Sequence, residues 1–200
     1  TLDSAAPITL SELRANTESA DGASAAVWQL VGGTNTLVAP ALITTRAHSL
    51  SVRGTTLKSD DDITITGLGR FFLGDDNLLG GRVIISNGNL RVARDSGFGP
   101  APATLRADAI VLDNGGLEND DNNFVLTNHV NRGITVTARG GFIGCGYTGA
   151  GVQINSPITG LGLLGINFEN GPVTLNNPAN DYAGGTVVGT VDGVTLVSVP

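Results

Sequence analysis

From Trp28 onward the sequence is a succession of short segments in which apolar and polar residues alternate. Alternation with a period of two is typical of β-strands, because successive side chains point to opposite faces of a sheet. The segments "ITIT" at 63–66 and "VIIS" at 83–86 are two examples, and Gly or Asn follows each of them directly. This pattern predicts an all-β fold built from many short strands joined by tight turns.

The composition favours narrow layers over one large core. Gly accounts for 29 of the 200 residues, and aromatic residues for only 4%. Charged residues make up 14%, against about 25% in an average globular domain. A compact globular core normally contains more large side chains, so this composition suits small stacked layers with turns between them.

Dipeptides that favour a positive φ angle mark the positions of sharp turns. Hairpins between antiparallel strands use the same dipeptides, so a β-sandwich is an alternative to a stack of parallel strands. The Asn-Gly and Asp-Gly pairs are at 87–88, 114–115, 170–171 and 192–193.

Internal repetition favours the stack of parallel strands. The pentapeptide "ITGLG" occurs at 65–69 and again at 158–162. A longer similarity relates 73–92 to 175–199, since both stretches contain Leu, a polar turn, Gly-Gly, a β-branched run and a second strand. Long degenerate repeats of short strands are typical of β-solenoids, and we place two repeat copies at about 62–92 and 158–199.

The segment "GPVTLNNPANDYAGGTVV" resembles the autotransporter-associated, or passenger-associated, β-strand repeat of bacterial surface proteins. The segments "NRGITVTARGGFI" and "GNLRVARDSGFGPAPATL" are similar to further parts of that repeat. The resemblance implies a right-handed parallel β-helix located outside the cell or on the bacterial surface. The matching positions in the first segment are Gly171, Val173, Leu175, Asn180, Tyr182, Gly184, Gly185 and Thr186.

The sequence departs from the repeat in two regions. The first copy has Leu78 where the repeat has Tyr, and Arg82 where it has Thr. Residues 1–60 match no part of the repeat. Thr9 and Glu12 have the spacing of a capping box, which predicts a short helix in an N-terminal cap at 1–27, with an irregular lead-in as the alternative. We assign 28–200 to the solenoid and expect Trp28 to close the end of its core.

The acidic residues are the first candidates for chemistry. They cluster at 60–62, 75–76 and 120–121. Neighbouring strand residues point to opposite faces, so such a pair does not by itself form the facing dyad of a glycoside hydrolase. Asp and Asn are also good turn formers, so we expect solvated turn acids, with calcium binding as the alternative.

The remaining reactive side chains form no recognisable constellation. His48 and His129 lack a partner at a ligand-like spacing, and we expect both to lie on the surface or in turns. Cys145 is expected to be a small buried apolar residue, with an intermolecular disulfide as the alternative. We therefore predict no catalytic, cofactor-binding or metal-binding residues, no cofactor and no enzymatic activity.

The net charge of −7 argues against nucleic acids and anionic membranes as partners. No apolar run approaches the roughly 20 residues needed to cross a bilayer. We predict a structural, extracellular solenoid that serves as a surface stalk, as an adhesin segment contacting a host or glycan surface, or as a subunit of a head-to-tail fibre.

Two other functions remain as alternatives. A trimeric phage tail-fibre segment is one. The other is a carbohydrate-binding or polysaccharide-degrading β-helix, in which outward aromatic side chains share one face. The candidates for that face are Phe71, Phe72, Tyr147 and Tyr182.

Overall fold

The computed structural model describes residues 2–3, 9–15, 27–31, 33–45, 49–146, 150–167 and 171–189. The described chain forms a parallel β-solenoid of about six turns, which confirms the predicted fold class. Among these residues every strand pairing is parallel, so the β-sandwich alternative is wrong. No helix in the described ranges is long and apolar enough to span a bilayer.

The first half of the chain contains strands β1 to β11. They are β1 (Leu2–Asp3), β2 (Thr9–Ala15), β3 (Val27–Val31), β4 (Thr34–Thr45), β5 (Ser49–Val52), β6 (Thr56–Ser59), β7 (Ile63–Thr66), β8 (Arg70–Leu73), β9 (Leu78–Leu79), β10 (Val83–Ser86) and β11 (Asn89–Val92). A short 3₁₀ helix (Asp95–Phe98) follows. The later strands are β12 (Arg106–Asp113), β13 (Gly115–Asn119), β14 (Leu126–Thr127), β15 (Arg132–Val136), β16 (Gly141–Cys145), β17 (Val152–Ile154), β18 (Ile158–Gly160), β19 (Leu164–Asn167), β20 (Val173–Leu175), β21 (Asp181–Tyr182) and β22 (Thr186–Gly189).

The strands form three sheets that run along the solenoid. Sheet A has the order β1-β3-β5-β8-β11-β13-β16-β19-β22. Sheet B has the order β21-β18-β15-β12-β10-β7-β4-β6-β9, with β2 paired to β4, and sheet C has the order β14-β17-β20. In each turn the chain passes from sheet B to sheet A and then to the third side, which β6 and β9 form in the early turns and sheet C forms later.

The core consists of columns, each made of the inward side chains at one position in successive turns. The alternation seen in the sequence supplies these columns, because every second residue of a strand points inward. Burying one such aliphatic side chain contributes about 1.5–3 kcal/mol. One column of sheet B is Ala41, Ile63, Val83, Ile110, Ile134 and Ile158, and one of sheet A is Leu50, Phe71, Leu90, Leu117, Ile143 and Ile166.

Asparagines form the corner between sheets B and A. Asn87 and Asn114 have φ angles of 56° and 57°, which confirms the turns predicted from the two Asn-Gly pairs. The Asn114 side-chain amide donates a hydrogen bond of 2.9 Å to Oδ1 of Asn87 in the preceding turn. Each of these corner asparagines thus hydrogen-bonds to the equivalent residue of the neighbouring turn, whereas core residues pack on their equivalents.

The two "ITGLG" copies form the same kind of corner at different registers. Gly67 and Gly160 both have a positive φ, of 109° and 115°. Ile158 is aligned with the column position of Ile63, whereas Ile65 lies two residues further along its strand. The Gly-Gly pairs also differ, since 80–81 precede a sheet B strand and 184–185 precede a sheet A strand. The repeated element is therefore a strand with its corner, not a whole turn.

The helix predicted near the N-terminus is wrong. Thr9–Ala15 is strand β2, which pairs in parallel with β4, aligning Leu13 with Ile43. A short isolated helix is marginal in water, and the open edge of β4 offers these residues backbone partners instead. Strand pairing thus extends into the segment assigned to the cap. The side chains of residues 1–32, including Trp28, lie outside the described part of the structure.

Gly160 tests the close approach of the backbones at a corner. A Cβ atom at Gly160 would overlap the carbonyl oxygen of Val136 in the preceding turn. We expect Gly160→Ala to lower the free energy of unfolding by about 2–4 kcal/mol. Gly189→Ala is the matched control, because a Cβ there meets nothing within 4 Å. Urea denaturation measures both variants, and equal stabilities would contradict the proposed packing.

Asp62 tests the ion pairs on the outer surface of sheet B. Its carboxylate accepts hydrogen bonds of 2.9 and 2.6 Å from the Arg82 side chain, which lowers the pKa of Asp62 below 3.8. A lowered folded-state pKa stabilises the protein above the unfolded value, and this contribution disappears as the pH falls through the folded value. We expect Asp62→Asn to cost about 0.5–1 kcal/mol at pH 7 and progressively less as the pH is lowered towards pH 2.

The control for this measurement is Asp60→Asn in the same loop. Asp60 is exposed and makes no ion pair with the described residues. Its replacement should leave the free energy of unfolding nearly unchanged at both pH values. A loss at pH 7 that persists at pH 2 in Asp62→Asn would show that the ion pair is not its cause.

Candidate functional site

A groove follows the corner between sheet A and the third side. The groove is formed by the residues that directly follow the sheet A strands. In four successive turns these residues are Arg53, Gly74, Ala93 and Asp120. Because Gly74 and Ala93 carry little or no side chain, two neighbouring turns leave a groove of about 580 Å³. The lining also contains Thr55, Thr56, Asp75, Asp76 and Asp121.

Arg53 extends along this groove and forms an ion pair with Asp120, three turns away. The Asp120 side chain is only 2% exposed, whereas that of Arg53 is 51% exposed. A buried carboxylate needs a cationic or hydrogen-bonding partner, and Arg53 supplies one. The guanidinium carbon also lies 5.0 Å from the centre of the Phe72 ring.

A second arginine, Arg94, also contacts a carboxylate of the groove and an aromatic ring. Nη1 of Arg94 donates a hydrogen bond of 2.9 Å to Oδ2 of Asp75, and its guanidinium carbon lies 4.7 Å from the centre of the Phe124 ring. Both arginines therefore contact an aromatic ring and a carboxylate at the same time. Stacking on a ring and pairing with a carboxylate both suit a planar guanidinium group.

A buried ion pair lies beside the groove on sheet A. Nε of Arg91 donates to Oε2 of Glu118 at 2.6 Å, and the two side chains are 10% and 9% exposed. Arg91 also lies 5.6 Å from the centre of the Phe72 ring, opposite the contact with Arg53. The side-chain amide of Asn89 donates to Oε1 of Glu118 at 2.9 Å.

The groove brings together the acidic pairs at 75–76 and 120–121, which lie in two different turn regions of the sequence. Oδ1 of Asp121 accepts backbone hydrogen bonds from Asn123 and Phe124, so this residue shapes its own loop. Asp76 is exposed and has a φ of 58°. Asp120, expected to be solvated, is instead buried, because Asn119 and the following loop fold over the corner.

Two acceptor atoms of the groove have no donor within the described part of the chain. They are Oδ1 of Asp75 and Oδ1 of Asp120, and both are buried. Among the described residues, no group of three or more His, Cys, Asp and Glu side chains is arranged to hold a metal ion. The groove is therefore rich in acceptors but lacks the acid or histidine set of a preformed metal site.

Arg132 anchors a loop on another side of the solenoid. Its side chain is 5% exposed and donates to both oxygens of Asp95, at 3.0 and 3.3 Å. It also donates to the backbone carbonyls of Phe98, Gly99 and Pro100 at 2.8–3.2 Å. The preceding Asn131 binds the carbonyls of Pro102 and Ala103. The "NRG" segment thus holds the "GFGPAPA" loop.

Three of the four aromatic candidates for carbohydrate binding, Phe71, Phe72 and Tyr182, do not share one face. Phe71 is fully buried in the core, and Phe72 points out of sheet A, as adjacent strand residues must. Tyr182 is half-buried at the last described turn and packs against the core. Tyr147 lies outside the described residues. The three described side chains therefore provide no common platform for a sugar ring.

The isolated His and Cys residues occupy ordinary environments. His129 is an exposed turn residue whose Nδ1 accepts a hydrogen bond from the backbone N–H of Asn131, as expected. Cys145 is 3% exposed and continues the sheet A column of Val92 and Asn119, which confirms its prediction as a small buried residue. His48 lies outside the described residues.

The chain was compared with protein-family models, curated proteins and solved structures, and none of the three comparisons found a match.

The arginine contacts are the part of the site that sequence reasoning missed. Arg53, Arg91, Arg94 and Arg132 each combine a ring and a carboxylate from other turns. Phe-Phe at 71–72 and the scarcity of Lys relative to Arg are the only sequence signals of this arrangement. Arg139, seven residues after Arg132, pairs instead with Asp113 on the exposed surface.

Arg132 and Arg139 provide a matched test of buried and exposed ion pairs. Removing Arg132 leaves Asp95 without its charged partner, with only the His129 N–H still donating to it, and removes the side-chain donor of three backbone carbonyls. We therefore expect Arg132→Ala to lower the free energy of unfolding by about 3–5 kcal/mol. Arg139 is 51% exposed, and Arg139→Ala should cost at most about 1 kcal/mol. Denaturant titration compares the variants, and equal losses would contradict the anchoring role of Arg132.

Proposed function

We propose that this chain is a structural, non-enzymatic, extracellular β-solenoid that acts as a stalk or as a subunit of a surface fibre. The observation that carries the proposal is the continuous core, in which columns of aliphatic residues run through successive turns. Such a molecule is rigid along its axis because each turn packs on its neighbours. A rigid spacer needs this property and no reactive site.

The resemblance to the autotransporter-associated β-strand repeat supports the location and the role. The residues that carry it have structural tasks here, since Arg132 anchors a loop and 184–185 precede a sheet A strand. The low charge content and the polar corners suit a secreted surface protein. In this proposal the groove-lining acids have no catalytic task.

The last described turn supports assembly with a second copy. Among the described residues, no strand pairs with the outer edge of β20, β21 or β22. The carbonyl of Gly185 faces β19, where it accepts a hydrogen bond from Leu164. Alternate residues of a parallel strand direct their backbone groups to opposite sides, so those of Thr186 and Val188 point to the open side.

The edges of β20, β21 and β22 that lack a partner strand among the described residues together have the cross-section of a solenoid turn, so a turn of a second copy would fit against them. Val173, Leu175, Tyr182 and Val188 are only partly buried against the core. A further turn would cover them and pair the exposed backbone groups. Repetition of this contact by a heterologous interface produces an open filament.

Adjacent valines in β22 provide a test of this assembly. Val188 aligns with the inward residue Ile166, whereas Val187 aligns with Gly165 on the outer face. We expect the parent chain to form linear assemblies whose length rises with protein concentration. Val188→Lys should abolish them, because an inward lysine would be trapped between stacked turns, and Val187→Lys should preserve them.

Sedimentation velocity and negative-stain microscopy provide the measurement. Circular dichroism and urea denaturation of both variants establish that each remains folded. Discrete monomers of the parent chain at high protein concentration would overturn head-to-tail assembly. Equal assembly by the two lysine variants would show that association does not involve the open end.

A further inference from the structure

The groove at the corner of sheet A has more anionic than cationic groups. Four carboxylates line it, and among the described residues the guanidinium groups of Arg53 and Arg94 pair with two of them, Asp120 and Asp75. Asp76 is exposed and makes no ion pair with the described residues. The net charge of −7 on the whole chain adds to the attraction for a cation.

The groove also contains a deeply buried acceptor without a donor. Oδ2 of Asp120 pairs with Arg53, but Oδ1 has no hydrogen-bond partner among the described residues although the side chain is only 2% exposed. Oδ1 of Asp75 is likewise buried without a partner there, although the Asp75 side chain as a whole is 29% exposed. Buried carboxylate oxygens are normally satisfied, so a ligand that donates N–H groups would complete both.

The contacts that two arginines of the chain make with the groove indicate the chemical class of ligand that would fit it. Arg53 and Arg94 each bring a guanidinium group into contact with both an aromatic ring and a groove carboxylate. The exposed side chain of Arg53 crosses the groove as an internal occupant, and its guanidinium occupies a position that another cation could take. A metal ion fits less well, because the described residues contain no set of three acid or histidine ligands.

We propose that this groove binds an organic cation carrying at least two primary ammonium groups, either a free linear polyamine or the lysine side chains of an extended polypeptide. The acids at 75–76 follow β8 and those at 120–121 follow β13, two turns further along. Two turns correspond to about 10 Å, which sets the preferred separation of the ammonium groups. This site is independent of the stalk function, which requires no ligand.

Isothermal titration calorimetry with spermidine at low ionic strength tests the proposal. Asp76→Asn removes an exposed acid of the groove and should weaken binding by about two- to fivefold. Asp60→Asn removes the same charge from a loop outside the groove and should change binding by less than that. Arg53→Gln should strengthen binding, because it removes the internal competitor for Asp120.

Ala93→Leu provides a variant that fills the groove without changing its charge, and it should abolish spermidine binding. Circular dichroism confirms that each variant is folded. Titrations with calcium chloride and with maltohexaose test a metal ion and a neutral sugar in the same groove. Spermidine and a short peptide containing two lysines distinguish a free polyamine from a polypeptide ligand.

Three results would overturn the proposal. The first is no spermidine binding by the parent chain at millimolar ligand concentrations. The second is equal weakening by Asp76→Asn and Asp60→Asn, which would assign the effect to overall charge. The third is binding of calcium or maltohexaose, but not of spermidine or the peptide, that Ala93→Leu removes.

Discussion

The fold depends on parallel stacking of successive turns in register. Each residue of a sheet lies about 4.8 Å from its equivalents in the turns on either side. Each side chain must therefore be compatible with the side chain at the equivalent position of the next turn, which lies directly beside it. Aliphatic residues meet this condition by packing, and Asn87 and Asn114 meet it because an amide group both donates and accepts hydrogen bonds.

Charged side chains can be neighbours in this stack only when residues of opposite charge occupy adjacent turns. Arg82 lies between Asp62 of the preceding turn and Asp108 of the next. Arg91 and Glu118 occupy neighbouring turns of sheet A. The groove is where two successive positions are small instead. Gly74 and Ala93 leave room in which Arg53 reaches a carboxylate beyond its immediate neighbours.

The features predictable from sequence are those that depend on neighbouring residues. The alternation of "ITIT" and "VIIS" gave the strands and their inward faces, and the Asn-Gly pairs gave the turns with positive φ. Thr9 and Glu12 were misleading because strand pairing with β4 outweighs a local capping signal. The Arg53–Asp120 contact was beyond prediction, since turn length varies along the chain and the alignment of distant turns cannot be counted from the sequence.

The long ion pair of Arg53 also has a mechanical consequence. Backbone hydrogen bonds between turns run nearly along the solenoid axis, so tension applied to the ends loads successive interfaces in series. Under such a load the weakest interface opens first. Arg53 and Asp120 span three consecutive interfaces of sheet A, so opening any one of the three also breaks this ion pair. The ion pair thus adds to the force needed to separate the turns on either side of the groove.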